Sequence, residues 1–385
     1  MNTQTPTVDI RLWKKSFWLM ALSCFLLSVT VTMLIPALPR WLMLEQGLTT
    51  AETGIAMTAF AVGLVVPGGF CSFLVQRYRR NQVCMLSAAV LALSVVALLF
   101  VPVKGCWLAA AGLRFLQGAS FGLSQLVLFS TLIVDTCESH RRTEANHAST
   151  WFGRFALSIG PLCALILTDV AGFDLTVWLS AACALLTGVL ISMVHFPFRV
   201  PYESPHVFSF DRFILVTGWP MLLLLFAVSL AVGLLLSLPL DVPFYGLLMV
   251  GFLLALLAQR FIFPDAELKS EAVSGLLLVG ASVLVRLSAP ESPLFPSMLG
   301  FGIGILGARF VLFFVKLAPH CRRGTSLSTY AVGWETGLAT GIGLGYICFA
   351  NTPRDLLLVA LAVVSACLLA YVLFLHRWFM THKNR

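Results

Sequence analysis

The sequence predicts an all-α integral membrane protein, with twelve transmembrane helices in two pseudo-symmetric six-helix bundles. Composition is the first reason: 59% of the 385 residues are apolar and 11% are charged, whereas soluble domains carry about 25% charged residues. The second reason is that the apolar residues gather in segments of the roughly 20 residues that a helix needs to cross the hydrocarbon core. The third is a set of short motifs that recurs in the second half of the chain.

Twelve apolar segments are delimited by charged residues, prolines and glycines. They cover residues 16–38, 50–75, 83–102, 107–134, 146–169, 173–197, 213–238, 243–263, 271–290, 294–317, 326–349 and 354–377. The first segment is too long for the apolar region of a cleavable signal peptide and has no obvious cleavage site. We therefore expect the N-terminus to stay in the cytoplasm.

Lysines and arginines are divided unevenly between the two sides of the predicted membrane protein. With a cytoplasmic N-terminus, seventeen of them fall on the cytoplasmic side, and only Arg40, Lys104 and Arg354 fall on the other. This asymmetry follows the positive-inside rule. It predicts a multi-pass protein of the cell inner membrane with both termini cytoplasmic. It also explains the net charge of +8 without a nucleic-acid partner.

Two motifs of the first half recur in the second half at nearly the same offset along the chain. Val75-Gln76-Arg77-Tyr78 returns as Ala258-Gln259-Arg260-Phe261, and His140-Arg141-Arg142 returns as Cys321-Arg322-Arg323. A duplicated six-helix unit accounts for both, and its even number of spans gives the two copies one orientation. The predicted boundaries are 1–197 for the N-terminal bundle, 198–212 for a central cytoplasmic loop and 213–385 for the C-terminal bundle.

Several motifs resemble those of the major facilitator superfamily over nearly the whole chain. Arg114-Phe115-Leu116-Gln117-Gly118 is similar to the family's Arg-x-x-Gln-Gly motif, and Ile35-Pro36-Ala37-Leu38-Pro39 ends the first segment as in many members. Gly160-Pro161 resembles the core of the antiporter motif of drug exporters, although Cys163 and Ala164 replace the glycines expected next.

The loop after the second segment resembles a further signature of the family only in part. Arg77 and Arg80 match it, while Ser72, Gln76 and Arg79 stand where Gly, Asp and Gly are expected. Gln76 offers a neutral hydrogen bond, about half as strong as the charge-assisted bond of an acidic residue. The resemblance implies alternating access between two bundles, with the solute site between them near the membrane midplane.

Four ionisable residues are predicted deep inside the segments: Arg114, Arg154, Arg309 and Glu335. A charge at a lipid-facing helix centre costs at least about 2.5–3.5 kcal/mol, so such residues normally face a cavity or a partner. Glu335 and Arg309 each lie about 200° around the helix from the nearest glycine of a small-residue stripe. We therefore expect both to point away from packed seams and to meet Arg154 in one polar cluster at the central cavity.

Glu335 is the candidate proton or substrate carboxylate, and a static Glu–Arg pair is the alternative. Arg154 and Arg309 are candidates to hold a carboxylate or phosphate with paired hydrogen bonds, or else to bond helix carbonyls or Glu335. Arg114 with Gln117 is more typical of a structural network. Three aromatic residues either stack on solute or pack as anchors: Trp151, Tyr330 and Trp334. The gating and motif candidates are Gln76, Arg77, Arg80, Gln259, Arg260, Gly160 and Pro161.

These observations predict a secondary transporter that exports a small anionic or amphipathic solute and couples to protons through Glu335. We expect a monomer surrounded by lipids, without cofactor or metal. An importer or facilitator of an organic anion is one alternative, and a lipid or lysolipid flippase or a non-transporting sensor on the same fold is another. Gly-rich phosphate loops, His-Glu-x-x-His and Gly-x-Ser-x-Gly are not found in the sequence, which argues against an enzyme.

Overall fold

The computed structural model describes residues 12–137, 141–194, 206–210, 212–262, 267–319 and 322–384. Within these ranges the chain forms twelve helical segments, which correspond to the twelve predicted ones and confirm the predicted fold class. They are α1 Lys15–Leu44, α2 Thr50–Val65 with Gly68–Arg77, α3 Arg80–Phe100, α4 Trp107–Ile133 with Val134–Thr136, α5 and α6 in the run Arg142–Ser192, α7 Val216–Leu236, α8 Val242–Ile262, α9 Leu268–Ser288, α10 Leu294–Leu317, α11 Arg323–Cys348 and α12 Pro353–His382.

Most of these helices are suited to a membrane by length and composition. In the described ranges nine helices meet both conditions, or ten when the bent pair that forms α2 counts as one span. The run Arg142–Ser192 has 51 residues, which is long enough for two spans. It turns at Gly172, whose φ of 80° favours glycine because other residues have a Cβ that clashes there. We name the part before Gly172 α5 and the part after it α6.

Helix α2 is broken near its middle. The parts before Val66 and after Pro67 meet at 44°. Pro67 has no backbone N–H to donate to the preceding turn, and its ring crowds that turn, which is the usual cause of such a bend. Two glycines, Gly68 and Gly69, begin the second part.

Successive helices run in opposite directions, so the bundle has two distinct ends. The end that contains Arg77, Arg141 and Arg323 is called the basic end, and the end that contains Arg40 and Arg354 is called the far end. His140 and Cys321 lie outside the described residues. So does most of the predicted central loop at 198–212, of which the structure describes 206–210 and 212.

Helix α11 packs closely on both bundles because it is rich in glycine. A Cβ at Gly341 would lie 2.1 Å from the carbonyl oxygen of Leu230 on α7, so the two backbones touch. A Cβ at Gly343 would lie 1.9 Å from Oγ1 of Thr58 on α2. The glycines let α11 approach α7 within its own bundle and α2 of the other bundle at once.

The bundles also touch at the basic end. A Cβ at Gly324, at the start of α11, would lie 2.3 Å from the carbonyl oxygen of Ser130 on α4. Ser130 belongs to the π-helical turn Leu128–Ile133. Helices α5 and α8 form a further contact between the two bundles.

Substituting Gly341 with alanine tests the α7–α11 contact. The added methyl group must push two backbones apart, and overpacking of this kind costs about 1–3 kcal/mol. We expect a lower unfolding temperature for Gly341→Ala in detergent. Gly112→Ala is the matched control, since its Cβ has no atom within 4 Å and alanine favours the helix by up to about 1 kcal/mol. Equal melting of the two variants would contradict the close contact.

Candidate functional site

A cavity of about 540 Å³ lies between the bundles at the far end. This size falls in the range of small-molecule sites, about 300–1,000 Å³. We call it the vestibule. Most of its lining is apolar and comes from the far ends of α1, α7 and α11 and from the start of α12: Pro36, Met43, Leu44, Leu236, Leu238, Pro239, Leu240, Phe349, Ala350, Pro353 and Leu356.

Polar side chains in the vestibule wall are few. Arg40 lies at the rim, where its Nη1 is 3.4 Å from Oδ1 of Asp169. Tyr346 and Tyr245 also line the wall. The hydroxyl of Tyr245 is buried and has no hydrogen-bond partner among the described residues. The vestibule therefore offers apolar contact area together with a small number of hydrogen-bonding groups.

A second, smaller cavity lies deeper between the bundles. Its volume of about 20 Å³ is enough for about one water molecule. We call it the inner cavity. Ile35 of α1 and Ile342 of α11 line it, and their near neighbours Pro36 and Gly345 line the vestibule. The two cavities thus follow one another along α1 and α11. Arg114 and Glu335 are the charged residues that line the inner cavity.

Glu335 reaches from α11 across to the first bundle. Its Oε1 accepts a hydrogen bond of 3.3 Å from Nε2 of Gln125 on α4. On the same helix the glycine stripe of Gly333, Gly337 and Gly341 faces α7. Among the described residues no arginine, lysine or histidine forms a salt bridge with Glu335. Within the described part of the chain, the polar contact of the Glu335 carboxyl group is therefore a neutral amide and not a cation.

Arg114 is held from within the first bundle. Its Nη1 donates to Oε1 of Gln117 at 2.8 Å, and Nε2 of Gln117 donates to the carbonyl oxygen of Ser94 at 3.1 Å. The guanidinium lies 4.6 Å from the centre of the Phe60 ring, a cation–π distance. The Arg-x-x-Gln motif thus links α4 to α3 and fixes the arginine at the wall of the inner cavity.

The predicted cluster of Arg154, Arg309 and Glu335 is wrong. Arg309 pairs through its Nε with Oε2 of Glu271 on α9, inside the second bundle. The antiparallel pair α9–α10 brings these two side chains together, and a buried carboxylate on one helix attracts the arginine of the next. Arg309 therefore leaves the glycine seam as expected, but the carboxylate that it pairs with is Glu271 on α9 and not Glu335.

Arg154 lies in the contact between α5 and α10. Its guanidinium stacks 4.5 Å from the centre of the Trp151 ring, and a Cβ at Gly307 would lie 2.4 Å from its Nε. Nη2 approaches Oγ1 of Thr150 at 3.5 Å. The Nε and Nη1 groups of Arg154 are buried without a partner in the described chain. The contacts of Arg154 are thus with its own helix and with α10 of the other bundle.

The remaining aromatic candidates pack against the protein core. Tyr330 is buried, and Trp334, next to Glu335, is partly buried. Neither residue lines the vestibule or the inner cavity. Gly160 brings α5 close to α1, since a Cβ there would lie 2.2 Å from Oγ1 of Thr32. Pro161 follows inside the same helix.

The motif residues at the basic end form local contacts. Nε2 of Gln76 donates to Oγ of Ser72 at 3.2 Å, within α2. Arg77 lies 5.8 Å above the ring of Phe73, also on α2. Arg80 is buried at the start of α3.

Their repeat counterparts lie in a π-helical turn. Gln259 and Arg260 belong to the turn Ala258–Ile262 at the end of α8. Both polar atoms of the Gln259 side chain are buried without a partner among the described residues, and Arg260 is exposed.

Sequence reasoning missed two features of this region. Glu271 stands at the edge of its predicted segment, whereas in the structure α9 already begins at Leu268. Glu271 lies before the turn between α9 and α10, and Arg309 lies after it, at nearly the same distance along the helix from the turn. Such matched positions are a signal for pairing in an antiparallel hairpin. The vestibule tyrosines, Tyr245 and Tyr346, carry no motif or spacing that would have marked them.

Comparison with known proteins gives a family and a fold. The profile of the Major Facilitator Superfamily matches residues 20–264. A crystal structure of a mutant of the nucleoside transporter NupG has a TM-score of 0.65 and 13% identity to this chain, over 93% of this chain and 99% of that one. No curated protein matches the sequence. The family and the fold indicate membrane transport of a small molecule, as predicted, and not catalysis.

Arg309→Met is expected to destabilise the protein. Removing one partner of a buried ion pair costs about 3–5 kcal/mol, because the other charge is left uncompensated. The double variant Glu271→Gln with Arg309→Met should recover most of the lost melting temperature. Arg354→Met, which removes an exposed arginine, is the control. If Arg309→Met instead keeps its stability and loses solute binding, Arg309 belongs to the solute site.

Proposed function

Because this chain belongs to the Major Facilitator Superfamily, we propose that it is a secondary transporter that exports a small amphipathic solute with an anionic group in exchange for protons. The observation that carries this proposal is the succession of the vestibule and the inner cavity, which ends at Glu335 and Arg114. Alternating access then exposes this central region to either side in turn.

The lining of the vestibule supports an amphipathic solute. A large apolar wall favours a solute with a substantial apolar part, because apolar contact area is the main source of affinity in such sites. The positive groups along the path are Arg40 at the rim and Arg114 at the inner end. Arg40 already pairs with Asp169, whereas Arg114 has no carboxylate partner among the described residues and so supports an anionic group on the solute.

Glu335 supports coupling to protons. It is a buried carboxyl group between the bundles, held by one neutral amide donor. Carboxyl groups in such positions form the proton relays of pumps and transporters. A proton on Glu335 removes a negative charge beside Arg114, and this electrostatic effect alone favours an anion and a proton binding together. Exchange additionally requires that the solute and the proton exclude each other at Glu335, which a solute group entering the small inner cavity would do by its volume. This link between two ligands is reciprocal.

The direction and orientation are supported by sequence features. Gly160-Pro161 resembles the core of the antiporter motif, which supports efflux. The concentration of lysine and arginine at the basic end supports a cytoplasmic basic end in an inner membrane. On this orientation both termini are cytoplasmic and the vestibule faces the outside.

Uptake of an organic anion is the second candidate, and Arg154 supports it. This buried guanidinium also lacks a carboxylate partner among the described residues. It would become available to an anion if α5 and α10 separate. In this second function the arginines bind solute and no proton needs to move outward.

Glu335→Gln is expected to remove proton-driven flux. A melting-temperature screen first identifies a solute, because ligands of the folded state raise its apparent stability. Organic acids, amphipathic drugs and lysolipids enter the screen, and so do nucleosides, since NupG is a nucleoside transporter. In proteoliposomes with a pH gradient, flux through Glu335→Gln should fall at least about tenfold, which corresponds to about 1.4 kcal/mol.

Glu291→Gln, in the exposed turn before α10, is the matched control and should transport like the native chain. Undiminished proton-driven flux through Glu335→Gln would remove this residue from the mechanism. Uptake driven by inward protons would replace export with the second candidate. Movement of lysolipids between leaflets without a gradient would favour a flippase.

The orientation predicts a pattern of thiol labelling. Cys106 and Cys348 are exposed at the far end. A membrane-impermeant maleimide added to intact cells should therefore label the native chain, and the double variant Cys106→Ser with Cys348→Ser should lose that label. Labelling of the native chain only after the membrane is opened would reverse the orientation.

A further inference from the structure

Two phenylalanines that precede α7 fill the break in α2. A Cβ at Gly68 would lie 2.1 Å from the ring of Phe213, and a Cβ at Gly69 would lie 2.3 Å from the ring of Phe208. The backbone N–H of Ser209 donates to the carbonyl oxygen of Gly69 at 2.9 Å. These rings occupy space that only glycine leaves open.

The aromatic contact extends over several rings. Phe208 meets Phe70 of α2 edge to face, with ring centres 5.6 Å apart. The ring centre of Phe210 lies 5.1 Å from that of Phe208 and 6.4 Å from that of Phe213. Aromatic pairs of this kind stabilise a contact beyond the burial of their apolar surface. Phe213 is 1% exposed, so its ring is fully part of the packed interior.

The same stretch is also joined to α11 of the second bundle. The hydroxyl of Ser328 shares its one O–H between the carbonyl oxygens of Arg212 at 3.0 Å and Phe213 at 2.9 Å. The backbone N–H of Leu215 donates to Oγ1 of Thr329 at 2.7 Å. A segment of a few residues therefore connects the broken helix of the first bundle with the start of α11 in the second.

We propose that Phe208, Ser209 and Phe213 form a linker latch, which holds the basic end closed by joining the break in α2 to α11. The basic end opens only when the rings of Phe208 and Phe213 leave Gly68 and Gly69. The latch, and not the motif residues Gln76 and Arg77, closes the basic end, because the polar and cation–π contacts of both motif residues lie within α2. Its packing is apolar, so salt weakens it less than it weakens an exposed ion pair.

Hydrogen–deuterium exchange of the full chain in lipid nanodiscs tests the latch without any solute. The reporter is the π-helical turn Leu128–Ile133 of α4, which meets α11 at Gly324 and lies outside the latch. For Phe213→Ala we expect exchange at this turn to rise about tenfold, while segments inside one bundle, such as the middle of α9, keep their rates. Phe208→Ala, which truncates a more exposed ring, should raise it by a smaller factor.

Gly69→Ala attacks the same contact from the other side and should act in the same direction, because its Cβ displaces the Phe208 ring. Phe261→Ala is the control, since Phe261 lies at the basic end and is 73% exposed. The latch is refuted if exchange at Leu128–Ile133 stays constant in Phe208→Ala and Gly69→Ala, if it rises equally in every helix, or if Phe261→Ala reproduces the change. Because no solute is used, failure here leaves proton coupling through Glu335 untouched.

Discussion

The contact of α11 with two neighbours governs the central region of this protein. Its glycines bring the backbone of α11 against α7 on one side and against α2 of the first bundle on the other. A helix confined in this way has little freedom to rotate about its axis, because packed interfaces hold discrete arrangements. The side chain of Glu335 consequently has a fixed direction, across the space between the bundles to Gln125.

Electrostatics separates the buried charges into two kinds. Arg309 and Glu271 form an ion pair inside the second bundle, which links α9 to α10. Glu335, Arg114 and Arg154 lie instead at surfaces where the two bundles face each other. Charges without an opposite partner are tolerated inside a membrane protein where they face a cavity or a ligand. This is why the proposed export uses Glu335 and Arg114, why the second candidate adds Arg154, and why neither uses Arg309.

Much of the fold could be predicted because its signals are local. Segment length, Gly172 between α5 and α6, and the lysine and arginine pattern are each readable over a few residues. The direction of Glu335 also followed from four-residue glycine spacing. The partners of the charges depend on which helices become neighbours, and helical spacing alone does not contain that information. Arg309 therefore has the expected angle on its helix and a neighbour that was not predicted. The hydrogen bond between Gln125 and Glu335 was not predicted either.

The break in α2 and the position of Glu335 are connected through α11. Ser328 of α11, whose hydroxyl is hydrogen-bonded to the backbone of Arg212 and Phe213, lies two helical turns before Glu335. That separation is about 10 Å along a helix and about 20° around its axis, so both residues lie on nearly one face. If the proposed latch leaves α2 while its hydrogen bonds to α11 hold, α11 moves with it and carries Glu335. On the two proposals made above, closure of the basic end and the environment of the carboxyl group would both depend on the position of α11, which is a two-state element of the kind that couples two sites.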